Sequence, residues 1–263
     1  MIVFGAIVPH SPLLLPSIGK EHRDGLAQTL AAIREIEEAL YLAKPQTICM
    51  IAPHGSRYPD AFSINLADTY HGSFKSFGDF STTFTAKGDL LGIDHVQRKL
   101  RDEGIPFTLT STEEIDYGFT IPLMLLASRL SAWKLIPISP SMLDGASHYE
   151  FGKQLKRILH AETSRVAIIA SADLSHKLGP TSPGGASTEG PTFDQAVLDT
   201  VTKNSPESLM TLSPDIIEHA GQCGYRPIMT LLGALDDMNV VPKKLCYETP
   251  FGVGYLTARY DIL

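Results

Sequence analysis

IVFGAIVPH (Ile2–His10) and TICMIAPH (Thr47–His54) share one pattern, an apolar run closed by Pro-His. Each is continuously apolar over a few residues, which suits a strand covered on both faces rather than one with a wet side. Each ends in Pro-His and opens into small polar residues, His10-Ser11-Pro12 and His54-Gly55-Ser56. In doubly wound sheets, ligand sites gather beyond the carboxyl ends of parallel strands. Two imidazoles brought there suit a metal ion; alternatively, each caps its strand by bonding loop backbone.

The same alternation continues outward. Strand-like runs follow at Phe62–Leu66, Pro106–Thr110, Lys134–Ser139, Val166–Ala170, Lys244–Glu248 and Val253–Arg259. Between them lie helical patterns. Leu26, Leu30, Ile33, Ile36 and Leu40 fall at helix spacing within Lys20–Ala43, and Leu90–Glu103 and Ile121–Ala132 read likewise. Ser147 and Glu150 form a candidate capping box for a helix running to His160. Ser205-Pro206 and Ser213-Pro214 each place a cap before a proline, Gly221 is placed to stop the second short helix, and a periodic run containing Pro227 continues to Met238. Leu178–Thr192 is of low complexity and reads as a loop. No internal repeat or linker divides the chain. The expectation is a single α/β domain over residues 1–263, with a mixed, mostly parallel central sheet, helices on both faces and an antiparallel edge from the C-terminal strands.

Composition bounds the function. The 263 residues are 43% hydrophobic and 19% charged, enough for a sizeable core. A formal charge of −7, with no run of Lys and Arg, argues against a nucleic-acid partner. The apolar start has no cationic region and is broken by prolines, so it reads as strand and loop rather than a signal peptide. Phe119–Leu143 is interrupted by Pro122, Arg129, Lys134, Pro137 and Pro140, which leaves no membrane span of ~20 apolar residues. Three scattered cysteines, Cys49, Cys223 and Cys246, do not make a disulfide framework, and a reducing cytoplasm is expected.

Two further motifs carry chemistry. ASADLSH ends in His176, just beyond the strand Val166–Ala170; such a histidine can move protons on a substrate, with Asp173 and Ser175 placed to orient it. A helix-capping turn is the other reading. AGQCGYRPIM sets Cys223 between Gly221 and Gly224, where a thiolate could serve a soft or borderline metal; a small buried hydrophobe is the alternative. Glu218 and Glu248 are rival carboxylate ligands.

The ordered set of these motifs resembles the class III extradiol ring-cleaving dioxygenases, in the branch that includes Memo and AmmeMemoRadiSam B proteins. The resemblance runs from VPHSPLLLPSIG to TPFGVGYLTA and includes Cys223-Gly224-Tyr225-Arg226-Pro227-Ile228 and GDFSTTF (Gly78–Phe84). It implies His10 and His54 as metal ligands, Cys223 in the slot where ring-cleaving members carry glutamate, and His176 as the proton-transfer residue. It also implies a substrate-contacting D-H-G-x-x-x-P-L motif, which here reads Asp116-Tyr117-Gly118-Phe119-Thr120-Ile121-Pro122-Leu123, with tyrosine in place of histidine. Tyr117 would then serve as a catalytic hydrogen-bond donor, and Asp116, Pro122 and Ser175 as substrate-binding residues. The implied activity is cleavage of a catechol-type ring with O2 by Fe2+. The two departures, Tyr117 and Cys223, favour the alternative, a Memo-like protein with zinc or copper and a redox or partner-binding role. An AmmeMemoRadiSam A-type partner is implied by that branch. An edge strand or the Phe119–Leu130 segment could serve a homo-oligomer, although core burial explains both.

Overall fold

A computed structural model describes residues 1–263. In chain order the elements are β1 (Ile2–Val8), α1 (Pro16–Gly19), α2 (Ala27–Ala43), β2 (Thr47–Ile51), β3 (Phe62–Asn65), β4 (Thr69–Phe74), β5 (Asp79–Lys87), α3 (Leu90–Asp102), β6 (Phe107–Thr110) and α4 (Tyr117–Leu126). There follow β7 (Lys134–Ser139), α5 (Gly145–His160), β8 (Val166–Ser171), α6 (Glu189–Lys203), α7 (Glu207–Met210), α8 (Pro214–His219), α9 (Tyr225–Ala234), β9 (Val240–Glu248) and β10 (Tyr255–Ile262). Eight strands form one sheet in the order β6-β3-β7-β2-β8-β1-β10-β9. The inner four, β7-β2-β8-β1, are parallel. β3 joins β7 antiparallel at one side, and β10 and β9 extend β1 antiparallel at the other. The mixed sheet with its C-terminal antiparallel edge is the one expected.

The continuous apolar runs are explained by cover on both faces. Ile48, Met50 and Ala52 with Phe4, Ala6, Val8, Ala167 and Ile169 face α2 and α4. The alternate residues Cys49, Ile51, Ile168 and Ala170 face α5, α6 and α9. Successive side chains of a strand point to opposite faces, so a strand between two layers of helices must be apolar at every position. Each fully buried Ile or Leu contributes roughly 1.5–3 kcal/mol by leaving water. No helix is long and apolar enough to cross a membrane.

Several boundaries differ from the sequence expectation for local reasons. The segment expected as one helix over Lys20–Ala43 is a 3-10 stretch over Lys20–Leu26 and then α2. The helix expected over Ile121–Ala132 begins at Tyr117, because Asp116 caps it by accepting the Gly118 N–H, and it ends at Leu126. Asp144, not Ser147, caps α5: its carboxylate accepts the Ser147 N–H. The low-complexity stretch ends earlier than expected, since α6 begins at Glu189. The β4–β5 hairpin was not anticipated. It turns through Gly78, at φ 82°, and through Asp79, whose Oδ1 accepts the N–H groups of Ser81 and Thr82.

Candidate metal centre

The strands β2, β8 and β1 are neighbours, run parallel, and end level: Val8 pairs with Ser171, and Ile51 with Ala170. The residues that follow them must therefore leave the sheet at one place. His10 follows β1, His54 follows β2, and Asp173 and His176 follow β8. Cys223 arrives from the loop before α9, a helix that packs on β8. That loop turns through Gly221 at φ 62°, a conformation that costs glycine little. Gly224 lies so close to the β8 exit that a Cβ there would stand 2.9 Å from the Asp173 carbonyl oxygen and 3.0 Å from the Ala172 Cβ.

The donor atoms of His10, His54 and Cys223 all lie within 4.8 Å of one another. His10 Nε2 is 3.1 Å from His54 Nε2 and 3.5 Å from Cys223 Sγ. His10 is buried, Cys223 half-buried, and His54 forms the exposed side of the cluster. Burial disfavours the imidazolium of His10, which the Asp173 carboxylate only partly offsets. Burial and the neighbouring His10 hold His54 down to about 4. Both rings are thus neutral near pH 7, the state in which imidazole binds a metal. Burial pushes the Cys223 thiol up; a bound cation is the kind of charge that reverses such a shift.

The neighbours are equally specific. His176 donates its Nδ1–H to the Gly221 carbonyl at 2.8 Å, which leaves Nε2 free to accept a proton. The Tyr117 ring stacks on His54 with centroids 4.9 Å apart and meets Phe77 of the hairpin edge-on at 5.1 Å. Burial pushes its hydroxyl up to about 12, so it donates rather than accepts near neutrality. Asp116 lines a polar cavity of about 360 Å3 beside His54, together with Asn65, Thr110 and Ser139.

The rival ligands and two expected substrate contacts lie elsewhere. Glu218 is exposed on α8, and Glu248 Oε1 accepts the Thr29 N–H at 2.8 Å. Neither joins the cluster. Ser175 is fully buried: its hydroxyl donates to the Ala220 carbonyl and accepts the Lys177 N–H, so it shapes the turn instead of touching a substrate. Pro122 is buried inside α4, away from the cavity wall. Asp173 serves His10 rather than His176, with Oδ1 accepting the His10 N–H at 2.9 Å and Oδ2 at 3.8 Å from Nε2.

Sequence reasoning missed Ser171 and Asp194. Ser171 Oγ is 2.9 Å from His10 Nδ1. Asp194, buried on α6, accepts the Ser175 N–H at 2.8 Å and the Tyr247 hydroxyl at 2.7 Å, and so pins the turn that carries His176. Its one sequence signal was an acidic residue beside Phe193 on the buried stripe of a helix.

Comparison with known proteins places the chain in a family and a fold. Protein CA_C1420 of Clostridium acetobutylicum is 26% identical over 258 residues, covering 95% of this chain and 55% of that protein. MEMO1 family protein MMP1387 of Methanococcus maripaludis is 23% identical over 195 residues, covering 70% of this chain and 60% of that protein. The chain thus spans little more than half the length of these relatives. Uncharacterized protein JW3007 from Escherichia coli K12 shares the fold, with a TM-score of 0.67 at 18% identity over 98% of this chain and 99% of that one. Residues 5–258 match the family described as the catalytic LigB subunit of aromatic ring-opening dioxygenase. The chain belongs to the LigB family, with MEMO1 family proteins among its distant relatives.

Proposed function

We propose that the protein is a metal-dependent oxidoreductase that opens a catechol-type ring with O2, using His10, His54 and Cys223 to hold Fe2+ and His176 to move the proton. The observation that carries this reading is the meeting of the three donor atoms within 4.8 Å where three parallel strands end. The donors fit a cation: two neutral imidazoles and a thiol that a positive charge would ionise. A bound Fe2+ would supply Lewis acidity toward the diol hydroxyls and a common site for diol and O2.

The remaining work falls to the protein's own groups. His176 Nε2 is the open position of a ring held by the Gly221 carbonyl. It accepts a proton from a diol hydroxyl and returns it as the ring opens. Tyr117, protonated near neutrality, walls the site against His54 and donates a hydrogen bond to a substrate oxygen. Asp116 fixes that wall by capping the helix that Tyr117 begins. Both atoms of O2 end in the product, so no further reductant is required.

A second reading is favoured by one observation, the sulfur in the donor set where carboxylates are absent. Thiolate suits zinc or copper as well as iron, and sits uneasily beside O2 because it oxidises. On that reading the centre has a redox or partner-binding role without ring opening. Anaerobic loading with Fe2+, followed by O2 and a panel of catechols, separates the two. A yellow ring-fission product is expected on the first reading. Full iron occupancy with no product across the panel would overturn it, and zinc or copper binding that vanishes in Cys223→Ala would support the second.

A further inference from the structure

The polar groups behind His10 form a chain that the proposed reaction does not use. The Gly118 carbonyl lies in the first turn of α4. In an uninterrupted helix it would accept the N–H of residue 122, four positions on, but residue 122 is proline and has none. The Ser171 hydroxyl donates to that carbonyl instead, at 2.5 Å. A carbonyl can only accept, so the one hydroxyl proton of Ser171 is committed to it. The same Oγ lies 2.9 Å from His10 Nδ1 and, with its proton spent, can only accept there. The hydrogen in that contact therefore belongs to His10. The neutral ring carries it on Nδ1 and turns a bare Nε2 toward His54 and Cys223. Ser171 is fully buried, so water does not take its place.

We propose that Ser171 is a positioning residue of the metal centre: it reads the Gly118 carbonyl that Pro122 leaves free and, by that direction of donation, fixes His10 in the tautomer whose Nε2 can hold a cation. Asp116 steadies the far end of the chain by accepting the Gly118 N–H at 2.6 Å. The spacing of Gly118 and Pro122, one helical hydrogen bond apart, acquires a reason that substrate contact does not give it. The inference rests on the reading of His10 as a metal ligand.

The test pairs two measurements. Nitrogen-15 NMR of the imidazoles in metal-free protein reports the tautomer of His10, and chelator competition with Zn2+ reports affinity. In the native sequence the proton is expected on Nδ1. Ser171→Ala is expected to lose that preference and to weaken Zn2+ binding ~10–100-fold, the usual effect of removing a hydrogen-bond partner behind a ligand. Ser171→Thr, which keeps the hydroxyl, should retain both properties. Ser171→Val, of the same shape without it, should behave as Ser171→Ala, and this pair separates the hydroxyl from any packing defect. His10 protonated on Nε2 in the native protein, or a Val variant that binds Zn2+ as tightly as the Thr variant, would overturn the proposal. If the native protein binds no Zn2+, the ligand reading itself fails, and the tautomer still decides the hydrogen-bond chain.

Discussion

At the amino ends of β2, β7 and β8 the molecule opens a cleft of about 890 Å3, lined in part by Thr47, Lys134, Val166, His95 and Trp133. The cavity beside His54, at the opposite ends of the strands, holds about 360 Å3. The larger space has the poorer chemistry: its histidine, His95, pairs with Glu162 at 3.1 Å, both half-exposed, and no second imidazole approaches. The smaller adjoins a set of donors aimed at one point. Size and converging donors thus fall at opposite ends of the same strands. The sheet supplies the cause, because three level, adjacent carboxyl ends deliver their following residues to one place.

The sharpest way to break the contrast is to damage the strand that serves both ends. Ile168 is buried at the middle of β8, paired with Gly5 and Cys49. Ile168→Ala should cost roughly 2–5 kcal/mol in urea unfolding and disturb cleft and centre alike. Next, Cys223→Ala or His54→Ala should weaken Zn2+ binding by more than the ~10–100-fold typical of outer partners, while His95→Ala leaves it unchanged. Equal losses at the two ends would erase the distinction.

A pH experiment probes the support of the carboxyl end. Asp194 is raised to about 6, chiefly by burial, against which the Ser175 N–H and Tyr247 hydroxyl act only in part. Its unfolded carboxyl ionises near 3.8. Between those values the folded form holds a proton that the unfolded form has lost, so this group's stability is present below about pH 4 and lost as pH rises through 6. The loss is on the order of 2–3 kcal/mol. His148, buried with Nε2 unpartnered and lowered to about 4, acts oppositely, since its contribution is lost as pH falls below 6.5. The difference between native protein and Asp194→Asn, taken across pH 4–7 by urea titration, isolates the aspartate. A constant difference would contradict this account. The smallest effect belongs to the other end: breaking the exposed His95–Glu162 pair should change stability by about 0–1 kcal/mol.

How much was legible depended on the range of the physics involved. β1, β2, β7 and β8 could be read because cover on two faces forces an unbroken apolar run. His10, His54 and His176 could be read because each sits just past such a run. The β4–β5 hairpin could not: its buried Tyr70, Phe74, Phe84 and Ala86 are spaced among exposed residues and find their cover in α4 and β7, distant in sequence from part of the hairpin. The motif ties Pro122 and Ser175 to substrate because it carries no account of which way a hydroxyl donates or which carbonyl a proline releases.

The layered α/β sheet and the three histidines at its strand ends are written in local sequence, since hydrophobic periodicity and strand termination act over a few neighbouring residues. Folding in three dimensions was needed to bring Cys223, and not Glu218 or Glu248, into the donor set. It alone showed that Asp173 and Ser171 attend His10 and that Asp194 holds the His176 turn. Those choices join residues that lie far apart along the chain, and a hydrogen bond or a ligand cluster exists only at distances that folding sets.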